Sequence, residues 1–292
     1  MKIAAIGEAM IELSMDDAEA AVRVAGDTLN TAIYLKRNAP ELQIDYVTRL
    51  GTDAFSDRIV AAMEAEDIGI LAVERDPEGT PGLYAITTDD SGERSFTYWR
   101  DTSAARSVFV TSEGPDFSAL EPYDVIYTSA ITLAIMPATT RVALIDWLQG
   151  FRQRGGRLVF DSNYRPRLWE DQDTACEVIA AMWALCDIAL PSIDDEMELT
   201  GETADAVTAR FLALGRSGAL KRGEIGPLCL ETGTSGTYPA ASKVVDTTAA
   251  GDSFNGAYLA AALTGEPQDA ALRAGHDLAS RVIAHRGAIL PR

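Results

Sequence analysis

Hydrophobic residues follow two kinds of spacing along this chain, and each spacing predicts its own kind of element. Short apolar runs predict buried strands at residues 3–7, 45–50, 125–128, 158–160, 188–190 and 228–230. Apolar residues three and four positions apart predict amphipathic helices at about residues 53–67, 138–154, 171–185, 204–214, 252–263 and 267–285. Strands that alternate with helices in this way predict a mostly parallel sheet covered by helices on both faces.

An early part of the chain has a different pattern. Residues 82–88 and 94–99 are rich in aromatic and β-branched side chains, and the turn-forming residues 89–93 join them. This pattern predicts a β-hairpin. The chain shows no repeat, low-complexity tract or Pro/Ser-rich linker. We therefore expect one α/β domain of residues 1–292 with a small β appendage, and ligands at the carboxyl ends of the parallel strands.

Composition narrows the function classes. The 292 residues are 47% hydrophobic and 24% charged, which is ordinary for a globular protein. A net charge of −19 argues against a nucleic-acid partner. No signal peptide and no apolar run of about 18 residues is present, so we expect no membrane partner. The three cysteines lack C-x-x-C spacing and are expected to be buried thiols in a cytoplasmic protein.

The segment from Asp246 to Asp252 carries the sharpest chemical signal. Its small residues open a helix, so free backbone N–H groups and the helix dipole favour a bound phosphate there. Asp252 stands at the same turn and could accept a proton from a hydroxyl that attacks the phosphate. Asp is also a preferred helix N-cap residue, and composition alone favours that second interpretation.

Two further segments contain residues suited to ligand binding. Asp27 and Asn30 could bind sugar hydroxyls, with Gly26 allowing a ligand close to the backbone, although a turn and a capped helix would also explain them. Arg165 and Arg167 follow a predicted strand and suggest an anion contact, although a solvated loop is the commoner role for arginine.

The hairpin presents aromatic side chains and an arginine. Tyr84 lies on its first strand, and Tyr98, Trp99 and Arg100 end the second. Such a face could cover a polar ligand and exclude water. Cross-strand packing or a subunit interface would explain it as well.

Several chemistries lack support in this sequence. There is no G-x-x-x-x-G-K-S/T segment and no protein-kinase signature. His276 and His285 both lie on the last predicted helix, which gives a zinc site or a histidine-based triad little support. The acidic run at residues 194–196 is expected to be the solvated start of a helix.

The segment Asp246–Asp252 resembles the D-T-x-G-A-G-D signature of ribokinase-like (phosphofructokinase-B type) carbohydrate kinases. Other segments resemble one branch, the 2-keto-3-deoxygluconate kinases, at residues 6–13, 26–31, 81–84, 96–100, 163–169 and 286–289. The resemblance covers essentially the whole chain. It implies a ribokinase-like fold with a β lid contributed by about residues 8–30 and 80–101. It also implies transfer of the γ-phosphoryl group of Mg²⁺-bound ATP to a sugar acid, giving 2-keto-3-deoxy-6-phosphogluconate.

The resemblance also implies roles for individual residues. The catalytic base would be Asp252, and the anion hole would consist of the N–H groups of Ala249, Ala250 and Gly251. The substrate-binding residues would be Gly26, Asp27, Asn30, Tyr84, Tyr98, Arg100, Ile131 and Arg165. The ATP-binding residues would be Asn163, Ser192, Lys221, Arg222 and Gly223, with Asp195 as an indirect contact of Mg²⁺.

The chain departs from the family pattern at three places. Ala249 replaces the first glycine of the signature. The N-x-x-E motif associated with magnesium reads Ser-Ile-Asp-Asp at residues 192–195, and residues 223–243 are short and rich in Gly, Thr and Ser.

Alternative functions remain open at the level of sequence. They are a kinase for 2-keto-3-deoxygalactonate or fructose, and a catalytically silent sugar-binding protein on the same fold. Arg100 and Arg165 favour a substrate with a carboxylate, because a neutral hexose gives them no anion to meet. The lid is also expected to mediate a homodimer or a higher homo-oligomer.

Overall fold

The secondary structure is known for residues 1–16, 19–88 and 94–292, the part of the chain that the computed structural model describes. The strands are β1 (Lys2–Ile6), β2 (Met10–Asp16), β3 (Glu19–Ala25), β4 (Gln43–Leu50), β5 (Val73–Arg75), β6 (Gly82–Thr88), β7 (Arg94–Trp99), β8 (Val110–Thr111), β9 (Gly114–Pro115), β10 (Val125–Ser129), β11 (Arg157–Asp161), β12 (Ile188–Leu190), β13 (Ser217–Leu220) and β14 (Leu228–Cys229). The helices are α1 (Asp27–Asn38), α2 (Ala54–Ala65), α3 (Ala130–Ile135), α4 (Ala138–Gln153), α5 (Gln172–Leu185), α6 (Ile193–Thr200), α7 (Ala204–Leu214), α8 (Ala250–Thr264) and α9 (Gln268–Val282).

A large sheet forms the centre of the protein. Within the described residues its strand order is β14-β13-β12-β11-β10-β1-β4-β5, and each pair is parallel except β13 with β14. The chain moves outward from β1 in one direction through β4 and in the other direction through β10. The carboxyl ends of β1 and β10 therefore flank the point where the order reverses, which is where such sheets bind ligands.

Helices cover both faces of this sheet, as the sequence pattern predicts. Because side chains alternate along a strand, Ile3 and Ala5 of β1 face one way while Ala4 and Ile6 face the other. The first layer packs against α1, α2, α8 and α9, and the second packs against α3, α4, α5, α6 and α7. Burial of these two apolar layers is the main source of stability.

A second sheet has the strand order β3-β2-β6-β7 and forms the β appendage. The predicted hairpin is confirmed, since β6 and β7 pair antiparallel with Tyr84 opposite Tyr98. The predicted turn at residues 89–93 lies outside the described residues. Strands β2 and β3 complete the sheet, with β2 parallel to β6 and antiparallel to β3.

The acidic run at residues 194–196 begins α6, but it is not solvated throughout. Asp194 is exposed, whereas Glu196 is buried and accepts hydrogen bonds of 3.0 Å from Trp183 Nε1 and Arg210 Nη2. Burial raises the pKa of Glu196 to about 7, and Arg210 opposes the shift. The expectation of a solvated run is therefore wrong for Glu196, because two donors replace the water that its carboxylate loses.

Among the helices of the described ranges, none is both long enough and apolar enough to cross a membrane.

Candidate active site

Polar residues follow five neighbouring parallel strands of the large sheet. They are Glu8 after β1, Ser129 at the end of β10, Asp161 to Asn163 at the end of β11, Ser192 after β12 and Lys221 after β13. The carboxyl ends of parallel strands meet at one edge of a sheet, so the fold brings these side chains together. Helix α8 adds the residues of the glycine-containing segment from its first turn.

Close packing between α8 and α1 positions that first turn. A Cβ atom at Gly256 would lie 2.5 Å from Tyr34 Cβ and 2.8 Å from the Thr31 carbonyl oxygen, so only glycine allows this approach. Asp252 lies one turn before Gly256 and is thereby brought beside Asn30. The Nδ2 atom of Asn30 donates a 2.9 Å hydrogen bond to Asp252 Oδ2, and Thr31 Oγ1 donates to the Asp252 carbonyl at 3.1 Å.

Asp252 does not cap its helix. The N-cap position of α8 belongs to Ala249, whose φ of 60° lies in the left-handed region, and no side chain caps the helix there. Asp252 is the third helical residue, and its carboxylate is directed to Asn30. The capping interpretation is therefore wrong, and a chemical role for this carboxylate becomes the better explanation.

The surroundings of Asp252 suit a general base. Burial raises the pKa of its carboxyl group to about 8, and the negative charges of Asp27 and Asp161 add to the shift. The Asn30 hydrogen bond and the charge of Lys221 act in the opposite direction. A carboxyl group that titrates near neutral pH can accept a proton in the reaction and release it afterwards.

A lysine lies between this carboxylate and the strand ends. Lys221 Nζ donates to Asp161 Oδ1 at 2.6 Å and to Asn255 Oδ1 at 3.2 Å. The same nitrogen is 3.7 Å from where a Cβ atom of Gly251 would lie, so the cation stands next to the first turn of α8. Positive charge and helix N–H groups thus converge on one place.

The Ala250 amide, one of those expected to form the anion hole, has a partner within the protein. The Ala250 N–H donates a 3.2 Å hydrogen bond to the Thr247 carbonyl oxygen. The buried carboxylate of Asp246 holds the preceding loop in place by accepting from the N–H groups of Thr248 (3.0 Å) and Gly287 (2.8 Å). The expected hole of Ala249, Ala250 and Gly251 remains a prediction.

Asp27 ties three elements of the site together. Its Oδ2 atom accepts hydrogen bonds from Ser129 Oγ at 2.5 Å and from Asn163 Nδ2 at 3.0 Å. Burial raises the pKa of Asp27, while its hydrogen bonds and the charge of Arg100 oppose the shift. Asn163, which the resemblance assigns to ATP, is thus placed beside a residue expected to bind the sugar.

The small sheet brings four more charged or aromatic side chains to the same region. Tyr84 donates a 2.5 Å hydrogen bond to Glu12 Oε2, and its ring centre is 5.7 Å from that of Tyr98. Arg100 forms a buried ion pair with Glu8. The carbonyl oxygen of Glu8 also explains Gly26, since a Cβ atom at Gly26 would lie only 2.2 Å from it.

The loop after β11 carries Arg165 at the rim of the site. Its side chain is 53% exposed, and its Nη1 atom donates to the Tyr164 carbonyl at 2.6 Å and to Asp195 Oδ1 at 3.4 Å. Asp195 also accepts a 3.0 Å hydrogen bond from Ser162 Oγ, and burial raises its pKa. Ser162 Oγ in turn accepts from the Ser192 N–H at 2.8 Å.

For three expected site residues, the structure gives no hydrogen bond to the site residues described above. Ile131 is buried in α3, and Gly223 begins a short 3-10 turn. Arg222 donates to the Gly226 carbonyl at 3.0 Å and to Ser235 Oγ at 2.9 Å. Sequence reasoning also missed the buried carboxylates of Glu8 and Glu12. Their positions within the mostly apolar stretch of residues 3–13 were a signal that could have revealed them.

Comparison with known proteins agrees with this geometry. The family model "pfkB family carbohydrate kinase" matches residues 1–292. The 2-dehydro-3-deoxygluconokinase of Dickeya dadantii is 43% identical over 300 residues, which cover 99% of this chain and 96% of the relative. The enzyme of the same name from Escherichia coli K12 is 40% identical over 301 residues, covering 100% and 97%. A solved structure of fructokinase with bound ATP from Xylella fastidiosa superposes with a TM-score of 0.79 at 22% identity, covering 98% and 93%.

The chain is a carbohydrate kinase, a phosphotransferase, and its fold is ribokinase-like. The chain belongs to the pfkB family of carbohydrate kinases.

Proposed function

We propose that this protein transfers the γ-phosphoryl group of ATP to the 6-hydroxyl of 2-keto-3-deoxy-D-gluconate. The observation that carries the choice of substrate is the full-length similarity to two bacterial 2-dehydro-3-deoxygluconokinases. The term 2-dehydro-3-deoxygluconate in their name is a synonym of 2-keto-3-deoxygluconate. The geometry supports the reaction, since the Asp252 carboxylate and Lys221 both lie at the first turn of α8, beside the carboxyl ends of the parallel strands.

In this proposal Asp252 removes the proton from the attacking hydroxyl. Its hydrogen bond from Asn30 fixes the orientation of the carboxylate, and its raised pKa lets it hold the proton near neutral pH. The first-turn amides of α8 and Lys221 stabilise the negative charge that develops on the transferred group. The sugar acid is held by Gly26, Asp27, Asn30, Tyr84, Tyr98, Arg100, Ile131 and Arg165.

ATP and Mg²⁺ are the proposed co-substrate and cofactor. Asn163, Ser192, Lys221, Arg222 and Gly223 are the residues proposed for ATP. In the described ranges no three acidic, histidine or cysteine side chains form a ready metal cage. Magnesium usually takes one or two carboxylates, waters and the substrate phosphates, so it does not need such a cage, and Asp195 is proposed as its indirect contact. Bound there, Mg²⁺ would neutralise phosphate charge.

We further propose that the four-stranded sheet is a lid, within a single kinase domain of residues 1–292. Its strands carry Tyr84 and Tyr98, and Arg100 directly follows β7. Tyr98 is 50% exposed although its ring faces Tyr84, so this face has room for a ligand. A closed lid would exclude water from the phosphoryl transfer.

Replacing Arg165 by Ala is expected to raise KM for the sugar acid by about 10- to 100-fold. A charge-assisted contact to a carboxylate contributes about 1.5–3 kcal/mol, whereas within the protein this side chain has a bond to the Tyr164 carbonyl and only a 3.4 Å contact to the carboxylate of Asp195. KM for ATP should stay within about twofold, which steady-state kinetics with each substrate varied will show. Arg167→Ala, in the same exposed loop, is the control. Equal losses for both substrates would assign the loop another role.

The lid is also proposed to form a homodimer contact. Trp99 on β7 is 58% exposed and lies on the opposite face from Tyr98, and a small sheet with an exposed aromatic residue gains stability by packing against a partner. We expect sedimentation velocity at micromolar concentration to show a dimer or larger assembly, and Trp99→Lys to shift it toward monomer. A strict monomer for the unmodified protein would contradict this contact.

The substrate is tested by measuring ADP release with a coupled assay across a panel of sugars. The panel contains 2-keto-3-deoxygluconate, 2-keto-3-deoxygalactonate, fructose and other neutral sugars. We expect the highest kcat/KM with 2-keto-3-deoxygluconate. Preference for a neutral hexose would overturn the sugar-acid assignment. If no sugar of the panel causes ADP release, a sugar-binding protein without kinase activity is favoured.

A further inference from the structure

Glu8 and Arg100 form a buried ion pair where the small sheet meets the large one. Glu8 follows β1 of the large sheet, and Arg100 follows β7 of the small one. Arg100 Nη2 donates to Glu8 Oε2, and the side chains are 7% and 1% exposed. The charge of Arg100 also acts on Asp27, so the pair stands beside the residues expected to bind the sugar.

Three polar atoms in this region are buried without a hydrogen-bond partner among the described residues. They are Glu8 Oε1, Arg100 Nε and Asn30 Oδ1. Native proteins leave few buried polar atoms unpaired, because each one has given up its hydrogen bonds to water. The protein thus has two unpaired acceptors and one unpaired donor beside the proposed sugar site. The hydroxyl groups of a polyhydroxylated ligand can pair with both kinds, because each hydroxyl donates and accepts.

The free oxygen of Glu8 lies on the ligand-facing side of the small sheet. Gly82 and Tyr84 share one face of β6, because alternate residues of a strand do so. A Cβ atom at Gly82 would lie 2.5 Å from Glu8 Oε1 and 3.2 Å from Arg100 Cβ. The glycine therefore lets the Glu8 carboxylate lie directly against β6, on the face that carries the ring of Tyr84.

The charge of the pair decides which part of a ligand it suits. Glu8 neutralises Arg100, so together they offer an acceptor and a donor but no net positive charge. A hydroxyl group, which both donates and accepts, matches this arrangement better than a carboxylate does. Arg165, exposed and only weakly paired, remains for the carboxylate.

We propose that Glu8 is a substrate-recognition residue whose Oε1 atom accepts a hydrogen bond from one hydroxyl group of the sugar acid. Arg100 Nε donates to the oxygen of the same hydroxyl or of its neighbour. The ligand class is a polyhydroxylated sugar or sugar acid, and the proposal rests on the proposed function for the identity of the substrate. Glu8 thus discriminates between substrates by the position of a hydroxyl group, in addition to joining the lid to the large sheet.

The test is a set of kcat/KM values for substrate analogues that each lack or invert one hydroxyl. For the unmodified protein, loss of the recognised hydroxyl should lower kcat/KM by about 10- to 100-fold, since a buried charged acceptor is left unpaired. In Glu8→Gln the same change should cost only about 3- to 10-fold, because a neutral acceptor binds more weakly. In Glu8→Ala the discrimination at that position should disappear. If Glu8→Ala does not fold, Glu8→Gln carries the test.

Glu66→Gln is the matched control, because Glu66 pairs with Arg37 through a similar carboxylate–guanidinium contact outside the site. It should keep the discrimination of the unmodified protein at every hydroxyl. Glu8→Gln with that same unchanged pattern would show that Glu8 serves the structure alone. If the unmodified protein does not act on the sugar acid, the proposed function fails, and the same comparison with the sugar that the panel identifies still tests Glu8.

Discussion

Asp252→Asn is expected to lower kcat by roughly 10²- to 10⁴-fold while KM for both substrates changes little. Asparagine has nearly the same shape and can still accept the hydrogen bond from Asn30, but it cannot take the proton from the attacking hydroxyl. Some turnover should remain, because phosphoryl transfer depends largely on positioning and on stabilisation of charge. Steady-state kinetics will measure the loss, and a near-normal kcat would exclude Asp252 as the base.

The same variant gives a second readout through its stability. The pKa of Asp252 rises from 3.8 to about 8 on folding, so the folded protein holds this proton more tightly than the unfolded chain does. The stability that this group contributes is therefore full below pH 3.8 and is lost as the pH rises to about 8. Asp252→Asn cannot ionise, so its Tm advantage over the unmodified protein should be larger at pH 9 than at pH 5. A Tm difference that is independent of pH would contradict the raised pKa.

Lys221→Met is expected to lower kcat/KM for ATP by about 10²- to 10³-fold, the usual loss when one preorganised stabilising group is removed. The ammonium group stands beside the first turn of α8, where the transferred phosphoryl group is proposed to bind. Methionine keeps most of the side-chain volume and removes the charge. Initial rates at varied ATP concentration will measure the effect.

Loss of Lys221 also leaves Asp161 buried without its cation, which should destabilise the fold by about 3–5 kcal/mol. Tm must therefore be measured with the kinetics. Arg152→Met, which breaks the ion pair with Asp187 on the surface of α4, controls for the loss of a cation as such and should leave kcat unchanged. A folded Lys221→Met variant with normal activity would remove the lysine from the phosphate site.

Much of the fold follows from local patterns that the sequence displays directly. The predicted strand at residues 188–190 and the helix at residues 204–214 agree with β12 and α7 to the residue, because each is an apolar run or a regular stripe between clear breaks. Strand β13 was missed, since its sequence Ser-Gly-Ala-Leu is short and of low strand propensity. It forms because β12 and β14 supply partners on both sides, which no local pattern reveals.

The candidate site was less accessible from local patterns. Asp252 and Asp27 were named as candidates from local patterns and Lys221 only from the family resemblance, and the bond between Asn30 and Asp252 joins residues 222 positions apart. That contact depends on the close approach of α1 and α8 at Gly256, a tertiary event. The sequence also could not show that Glu8 neutralises Arg100. Arg100 and Arg165 therefore appeared equally suited to bind the substrate carboxylate. In the folded protein one is buried and paired, and the other is exposed.

We propose that this kinase phosphorylates 2-keto-3-deoxygluconate with Asp252 as the base. The most direct test of this proposal follows the reaction of ATP with this sugar acid by ³¹P NMR and identifies the product by mass spectrometry. We expect ADP and 2-keto-3-deoxy-6-phosphogluconate to form in equal amounts with the unmodified protein, and both to form at a small fraction of that rate with Asp252→Asn. Release of inorganic phosphate without a sugar phosphate, or equal product formation by the variant, would contradict it.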